Sequence, residues 1–343
     1  MRKLLGQIET WLNNNQSVAL ATVIKTWGSS PRPVGAGMAV TQDGEINGSV
    51  SGGCVEGAVI DAALEVIKSN KPKRLHFGVA DSDAWQVGLA CGGEIDVFVR
   101  NFDISKLNVW KTAFQTNQQF YSILRVKGAG DLLGEELLIL NDGSIINQGF
   151  PSDQVELLKN SIQEEAVQGK AVTTVIKNDL GEIFYQLIQT PPTLIIVGGV
   201  HIAVHLAKLA EILGFEVIVI DPRRLFGAGE RFPGVKQVIN DWPGDAFQKI
   251  QIDQSTAIVM LTHDPKIDDP ALKMSLSSPA FYIGALGSKK THAKRLDRLS
   301  ADGIDIERLN IIHAPVGLDL GGKLPEEIAL AIIAEIVKTR NLS

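Results

Sequence analysis

The chain has 343 residues, 45% of them hydrophobic, and a formal net charge of −6 at pH 7. This length allows two domains with separate cores, while the acidic balance without a long block of Lys or Arg argues against nucleic acid as a partner. No apolar run reaches the roughly 18 residues of a membrane span, and residues 1–14 lack the apolar core of a signal peptide. Two cysteines are too few for a disulfide framework. We therefore expect a cytoplasmic protein without membrane attachment.

Two glycine-rich stretches lie near the start of the chain, Trp27–Gly37 (WGSSPRPVGAG) and Ser49–Glu56 (SVSGGCVE). The second leads into a predicted helix, and the backbone N–H groups at its start, uncovered by Gly52 and Gly53, predict a pocket for an anion. Cys54 lies in the first turn, where the helix dipole favours the thiolate. The alternative is that the glycines only make tight turns and Cys54 is a small buried residue.

Residues 18–69 and 120–169 resemble two copies of one unit. VALATVIK is echoed by YSILRVK, and MAVTQDGEINGSV by LLILNDGSIINQG, before each copy enters a helix at Val55 or Val155. The second copy has PSDQ where the first has SGGC, so the fold does not require the glycine loops. The repeat therefore favours a site-building role for the loops of the first copy.

The pattern changes near Thr190, where alternating strands give way to a regular succession of strand, glycine turn, helix and strand. We predict two domains, 1–190 and 191–343. The first is an α+β domain built on the degenerate repeat, and the second has a Rossmann-like parallel sheet. The expected class is therefore α/β.

The second domain opens with a βαβ unit of the dinucleotide-binding kind: TLIIVGG, HIAVHLAKLAEILG and FEVIVID. Asp221 ends the second strand, where an acidic side chain commonly accepts a ribose hydroxyl. Its glycine turn reads Gly198, Gly199, Val200, His201, so valine replaces the glycine that lets the backbone approach a pyrophosphate. NAD(P) binding is accordingly disfavoured although the fold is retained.

Two further strands, TAIVMLT and AFYIGAL, should end at the same carboxyl edge of the sheet. His263 and Asp264 after the first suit an acid, a base or a metal ligand. The turn after the second starts a helix rich in lysine and arginine, which indicates a second phosphate site or simply a solvated basic face. The candidate residues at these two strand ends are Thr262, His263, Asp264, Gly287, Ser288 and Lys289.

Of the six histidines, His201 and His263 are expected to face the crevice at the carboxyl edge of the sheet. Their spacing matches no zinc motif. The remaining histidines are predicted to be structural or surface residues: His76, His205, His292 and His313.

Several of these motifs together resemble the XdhC/CoxI family of xanthine dehydrogenase accessory proteins. They are TWGSSPRPVGAGMAV, GSVSGGCVEGAVI, GGVHIA followed by VIDPR, LTHDPKIDDPAL, YIGALGSKKTH and APVGLDLGGKLPEEIALAIIAEIV. The resemblance spans nearly the whole chain and is weakest between residues 101 and 189. One departure is the turn at Gly198, which usually reads G-A-G-H in the family.

The resemblance implies an accessory carrier rather than an enzyme. Proteins of this family bind molybdenum cofactor, protect it while its terminal sulfur ligand is installed, and help to insert it into a molybdenum hydroxylase. They consist of an amino-terminal XdhC/CoxI domain and a carboxy-terminal Rossmann-like domain. The implied partners are a hydroxylase of the xanthine dehydrogenase type and a cysteine desulfurase. Because carriers often shield a labile ligand near an interface, we expect a homodimer.

Molybdenum cofactor is an anionic phosphorylated pterin with dithiolene sulfur and a metal-oxo head, so a carrier must supply phosphate donors and exclude water, and a thiolate near the metal would suit it. We expect it in the cleft between the domains, with Arg32 adding charge, Cys54 near molybdenum or its exchangeable sulfur, and Cys91 joining it. Glu56 and Glu94 are expected to orient donors or accept a proton, the alternative being ordinary acids at a helix start and a strand edge. The candidate cofactor-binding residues of the first domain are Ser29, Ser30, Arg32, Gly35, Ser51, Gly52, Gly53, Cys54, Glu56 and Cys91. Those of the second are Gly198, Gly199, His201, Asp221, Arg223, Thr262, His263, Asp264, Gly287, Ser288 and Lys289.

Two other classes of protein stay open at this point. An NAD(P)-linked oxidoreductase would bind a nucleotide in the second domain and use His263 or Cys54 on a small substrate, and Val200 argues against it. A protein-interaction scaffold would use its glycines only to shape docking loops.

Overall fold

The computed structural model describes residues 1–30, 32–78, 92–116, 118–128, 133–148, 150–167, 173–178 and 180–342. The chain divides into two compact units, Met1–Thr190 and Pro191–Ser343. The first contains two antiparallel five-stranded sheets and the second a parallel six-stranded sheet. This architecture confirms the predicted class: α/β, with a repeat-based α+β part followed by a Rossmann-like part.

The first copy of the repeat is a five-stranded sheet in the order β3-β2-β1-β5-β4. Helix α2 covers one face, where Val59, Ala63 and Val66 are buried against the apolar side chains of β1 and β5. The elements are α1 (Arg2–Asn13), β1 (Val18–Trp27), β2 (Gly37–Thr41), β3 (Ile46–Gly48), α2 (Glu56–Ser69), β4 (Lys73–Phe77) and β5 (Glu94–Asn101).

The second copy has the same strand order, β8-β7-β6-β10-β9. The structural repeat therefore extends beyond residues 69 and 169 to include two more strands in each copy. Its sheet is covered by α4 through the buried side chains of Val155 and Leu158. The elements are α3 (Ile104–Gln115), β6 (Phe120–Lys127), β7 (Glu136–Leu140), β8 (Ile145–Gln148), α4 (Ser152–Val167), β9 (Thr173–Asn178) and β10 (Gly181–Ile188).

The two sheets of the first unit pack on each other through the faces opposite α2 and α4. Ile24 and Phe98 of the first sheet and Leu124, Val126 and Phe184 of the second form one buried cluster. Each such side chain contributes roughly 1.5–3 kcal/mol when fully buried, so this cluster fixes the two copies against each other.

Three connections of the first copy lie at the same end of its sheet. Because neighbouring strands run antiparallel, the described residues 28–30, 32–36, 49–55, 78 and 92–93 all lie next to strand ends at the end where β1 finishes. A methyl group on Gly93 would come 2.3 Å from the carbonyl oxygen of Ser29, which shows how closely two of them approach. The fold thus gathers both glycine-rich stretches of the sequence in one place.

The second unit is a parallel sheet in the order β13-β12-β11-β14-β15-β16. Strand order reverses between β11 and β14, and the carboxyl ends on either side of this point form the usual ligand crevice of such folds. Its elements are β11 (Thr193–Val197), α5 (His201–Ile212), β12 (Glu216–Ile220), β13 (Gln237–Ile239), α6 (Pro243–Phe247), β14 (Thr256–Met260), α7 (Pro265–Leu276), β15 (Tyr282–Ala285), α8 (Lys289–Ala301), α9 (Ile306–Leu309), β16 (Ile312–His313) and α10 (Pro325–Leu342).

Among the helices of the described ranges, none combines the length and the apolar character that crossing a membrane requires.

Candidate functional sites in the two units

The loop before α2 presents its thiol to solvent. Cys54 is exposed, as are Gly52 and Gly53, and both glycines have positive φ angles of 78° and 120° that other residues rarely adopt. The alternative of a small buried cysteine is therefore wrong. The glycines turn the chain so that Cys54 lies outside the core formed by its neighbours Val50 and Val55.

The backbone amides of this loop bind a carboxylate of the chain itself. The N–H groups of residues 50–53 donate to the two carboxylate oxygens of Glu56 over 2.8 to 3.2 Å, and the hydroxyls of Ser49 and Ser51 donate as well. Although partial burial raises the pKa of Glu56, the hydrogen bonds from Ser51 and its neighbours lower it to about 2. The prediction that Gly52 and Gly53 offer free amides to a ligand anion is wrong in this structure, because Glu56 occupies them.

The described residues 150–167 of the second copy have a different arrangement. Glu156, at the position corresponding to Glu56 in the sequence repeat, has a side chain that is 71% exposed and pairs with Lys159 at 3.3 Å. Among the described residues of the two copies, such a carboxylate turned back onto a loop of amides occurs in the first copy. Glu56 binds the amides and hydroxyls of its own loop.

The other glycine-rich loop packs on the second copy of the repeat. The side-chain amide of Gln186 donates to the carbonyl of Gly35 at 3.2 Å, and a methyl group on Gly35 would lie 2.4 Å from that nitrogen. Ser30 donates to the carbonyl of Arg32 at 2.9 Å, while Arg32 and Ser29 are exposed. Arg32 is therefore available as a surface charge. Cys91, the other predicted thiol, lies outside the described residues.

Other residues of the chain occupy the space around Gly198 and Gly199 in the glycine turn of the second unit. A methyl group on Gly198 would come 2.4 Å from Cγ2 of Thr262, and one on Gly199 would come 2.2 Å from the carbonyl oxygen of Phe226. The guanidinium of Arg231 donates to the carbonyls of Gly199, at 2.5 Å, and Phe226, at 2.8 Å. Both glycines are thus required for packing within the chain.

Asp221 is fully buried and hydrogen-bonded on both carboxylate oxygens. It accepts from the backbone N–H of Gly199 at 2.8 Å, from the N–H of Arg223 at 2.9 Å, and from the guanidinium of Arg223 at 2.7 and 2.9 Å. Both oxygens of Asp221 are therefore already engaged within the chain, and accepting a hydrogen bond from a ribose hydroxyl, as predicted, would require Arg223 to move.

A buried carboxylate that sequence reasoning missed holds the end of β14. Asp268 accepts from the hydroxyl of Thr262 at 2.6 Å and from the backbone N–H of His263 at 3.1 Å, and the guanidinium of Arg295 lies 3.9 Å away. Asp268 and Arg295 are 1% and 2% exposed. Burial raises the pKa of Asp268, against the opposing effects of Thr262 and Arg295. Asp264 was predicted to act as an acid, a base or a metal ligand. In the structure its carboxylate caps α7 by accepting a hydrogen bond from the backbone N–H of Lys266.

His263 is held in a left-handed backbone conformation, with φ of 63°. This conformation costs a residue with a Cβ about 1–2 kcal/mol, whereas glycine adopts it freely. Because the imidazole is exposed, we expect His263→Gly to raise the free energy of unfolding by about 0.5–1 kcal/mol after the greater flexibility of unfolded glycine is included. Urea denaturation would measure the change. His201→Gly, within α5, is the control and should instead lower the free energy of unfolding. If His263→Gly also lowered it, the backbone at His263 would not be strained.

The start of α8 is exposed at the end of β15. Ser288 caps the helix by accepting from the N–H of Thr291 at 3.1 Å, and Ser288 and Lys289 are both exposed. Arg295 is not part of a solvated basic face, because it is buried and donates to the carbonyl of Leu286 at 2.8 Å. His201 is exposed beside His205. Within the described ranges, no group of three or more His, Cys, Asp or Glu side chains is arranged to hold a metal ion.

Comparisons with known proteins agree with both parts of this structure. Residues 11–78, which include the Cys54 loop, match the model of the XdhC and CoxI family, and residues 194–336 match the model of the XdhC Rossmann domain. The chain is 27% identical to a Bacillus subtilis protein named as a probable xanthine dehydrogenase subunit, over 97% of this chain and 96% of that protein. It is also 27% identical to "Molybdenum cofactor insertion chaperone PaoD" of Escherichia coli, over 96% and 85%.

A crystal structure described as a xanthine dehydrogenase from Bacillus halodurans has the same fold. It superposes with a TM-score of 0.81 at 25% sequence identity and covers 98% of this chain and 95% of its own. The similarity therefore extends through the repeated sheets as well as the parallel sheet. With family models matched in both units and relatives aligned from end to end, the chain belongs to the XdhC and CoxI family.

Proposed function

We propose that this protein is a chaperone that binds molybdenum cofactor, protects it while its terminal sulfur is installed, and delivers it to a molybdenum hydroxylase of the xanthine dehydrogenase type. The proposal is supported by the family and by the relative named as a molybdenum cofactor insertion chaperone. The structural observation that carries it is an exposed thiol, Cys54, on a loop whose amides are held by Glu56.

A rigid, exposed thiol suits this cargo. Sulfur is a ligand that soft metal centres favour, and a loop fixed by its own hydrogen bonds presents the sulfur atom without having to be ordered on binding. Arg32, also exposed, supplies positive charge toward an anionic ligand. In the second unit, Ser288 and Lys289 at the start of α8 offer N–H groups and a charge that suit a phosphate. We extend the proposal to a cysteine desulfurase as the sulfur donor, to a homodimeric carrier and to a cytoplasmic location.

Purification from cells that synthesise molybdenum cofactor tests the proposal. The wild-type chain is expected to retain molybdenum and pterin in near-equal amounts, and Cys54→Ser to retain at least tenfold less molybdenum because the hydroxyl is a poorer ligand for a soft metal. Mass spectrometry of the metal and fluorescence of the oxidised pterin measure both. Gln154→Ser, at the corresponding position of the second copy, is the matched control and should bind as the wild type does.

The outcomes separate the proposal from its alternatives. A wild-type protein that carries neither molybdenum nor pterin would favour a scaffold without a small-molecule site. An unchanged molybdenum and sulfur content in Cys54→Ser would remove the thiol from the proposal and leave the carrier role standing.

A further inference from the structure

Two rows of side chains cross the end of the first sheet, on the face opposite α2. In one row Lys25 lies opposite Asp96, which lies opposite His76; in the next, Trp27 lies opposite Glu94. These five residues line a cavity of about 100 Å³, which we call the Trp27 groove. It lies at the same end of the sheet as the loop that carries Cys54.

The Trp27 groove adjoins a larger cavity between the two sheets of the first unit. His76 and Asp96 line both, and the second cavity, of about 540 Å³, also has Arg74 and Lys127 on its polar side and Phe98 on its apolar side. The combined depression has room for an organic ligand with a polar edge and an anionic arm.

Trp27 is unusually exposed for so large an apolar side chain, at 65%. The register of β1 and β5 shifts between Val23 and Lys25, which marks a bulge directly before the exposed residues Lys25 and Trp27. Bulges re-aim the side chains that follow them. An indole displayed in this way, beside a cavity, is a surface on which a flat ring can stack.

The polar side of the groove is held by a hydrogen-bonded chain of charges. His76 Nδ1 lies 2.6 Å from Asp96, and Arg74 bridges Asp96 to Glu182 of the second copy. Burial raises the pKa of Asp96, but the hydrogen bonds and charges of Arg74 and His76 lower it by more than burial raises it. The carboxylate is therefore ionised and accepts a hydrogen bond from Nδ1–H of His76. The His76 side chain is 59% exposed, which leaves its other ring nitrogen available to a ligand.

Gly78 keeps the space between the two rows open. A methyl group there would come 3.1 Å from Cγ of Glu94 and 3.4 Å from Nε2 of His76. A side chain at this position would therefore crowd the carboxylate and the imidazole together. With glycine, both groups face the groove.

The second copy of the repeat serves as an internal comparison. It has the same charged row, Lys127 opposite Glu182 opposite Lys177, also beside a register shift. Its counterpart of the first glycine loop, residues 128–135, has no aromatic residue, and only residues 179–180 separate β9 from β10. The charged row is thus a property of the fold, whereas Trp27 and Glu94 are additions of the copy that carries the glycine loops.

We propose that the Trp27 groove binds the ring of the pterin cargo. The indole of Trp27 stacks on the ring, and Glu94 accepts hydrogen bonds from the amino and ring N–H groups of its 2-amino-4-oxopyrimidine edge. Lys127, whose side chain is 69% exposed, binds its anionic arm, while Arg74 stays engaged with Asp96 and Glu182. This inference rests on the proposed function. Guanine nucleotides share the same edge, so an experiment must distinguish the two ring systems.

Titration of the full-length protein with pterin-6-carboxylate, followed by pterin fluorescence, tests the groove directly. We expect Trp27→Ala and Glu94→Gln each to raise Kd at least tenfold, and GMP, which does not fluoresce as a pterin does, to displace the probe with an inhibition constant at least tenfold above the Kd of pterin-6-carboxylate. Trp242→Ala is the matched control, because that side chain is 53% exposed and lies in the other unit. Since Trp27 is largely exposed, its loss should leave thermal unfolding unchanged, which separates a binding defect from a folding defect.

The outcomes distinguish this inference from the proposed function. Three results would overturn binding of pterin in the Trp27 groove. They are a wild-type protein that does not bind pterin-6-carboxylate, a Trp27→Ala protein that binds it as tightly as the wild type, and a wild-type protein that binds GMP more tightly than pterin-6-carboxylate. Trp27→Ala protein that still retains wild-type molybdenum and pterin from cells would overturn the groove alone. A wild type without molybdenum and pterin that nevertheless binds the probe through Trp27 would overturn the carrier role and leave the groove.

Discussion

Replacement of Asp268 by Asn is expected to lower the free energy of unfolding of the second unit by about 3–5 kcal/mol, the usual effect of removing one partner of a buried ion pair. The carboxylate accepts hydrogen bonds from Thr262 and His263 and faces Arg295, and both charged side chains are almost completely buried. Burial raises the pKa of Asp268 and lowers that of Arg295, so each charge depends on the other. Asn would leave the buried guanidinium with Asp269 as its counterion, and Asp269 already pairs with Arg298 at 2.6 Å.

Guanidinium denaturation with hydrogen exchange, to assign the loss to the second unit, would measure this effect. Asp302→Asn is the control: Asp302 pairs with Lys273 at 2.7 Å, but both side chains are more than 40% exposed, so a change below about 0.5 kcal/mol is expected. The double variant Asp268→Leu, Arg295→Met should recover part of the loss, because it removes both charges together. A loss below about 1 kcal/mol in Asp268→Asn would show that the pair does not support this edge of the sheet.

The elements of the second unit could be predicted because buried parallel strands have a simple pattern. β11, β12 and β14 are continuous apolar runs followed by turns, and each is almost entirely buried. The internal repeat was also visible in the sequence. Its full extent was not, since the last two strands of each copy differ in composition and in the length of the connection between them.

Side-chain partners could not be predicted in the same way, because they depend on register and burial. His76 was expected to be a structural or surface residue; it is exposed, but strand pairing also places it opposite Asp96. Arg295 lies on a helix that the sequence suggests is basic and solvated, but its side chain is buried and donates to the carbonyl of Leu286, just before that helix. Glu56 and Glu156 both stand near helix starts, and nothing local in the sequence says that only the first turns back onto its own loop.

Glu56→Gln is expected to lower the free energy of unfolding by about 1–2 kcal/mol at pH 7. The carboxylate accepts hydrogen bonds from four backbone N–H groups, and hydrogen bonds to a charged group each contribute more than neutral ones. Screening by solvent lowers their total contribution, because Glu56 is partly exposed. A glutamine amide offers one acceptor atom and turns an NH2 group toward some of these donors. Denaturation of the variant and faster hydrogen exchange at residues 50–53 would measure the loss.

The pH dependence identifies the carboxylate as the cause. Because folding lowers the pKa of Glu56 from 4.5 to about 2, its stabilisation is complete above pH 4.5 and disappears as the pH falls toward 2. The stability difference between wild type and Glu56→Gln should therefore shrink over that interval, since glutamine does not titrate. Glu156→Gln, whose carboxylate is mostly exposed, should differ from wild type by less than about 0.5 kcal/mol throughout. A difference at Glu56 that stayed constant between pH 5 and pH 2 would mean that the shape of the side chain, and not its charge, holds the loop that presents Cys54.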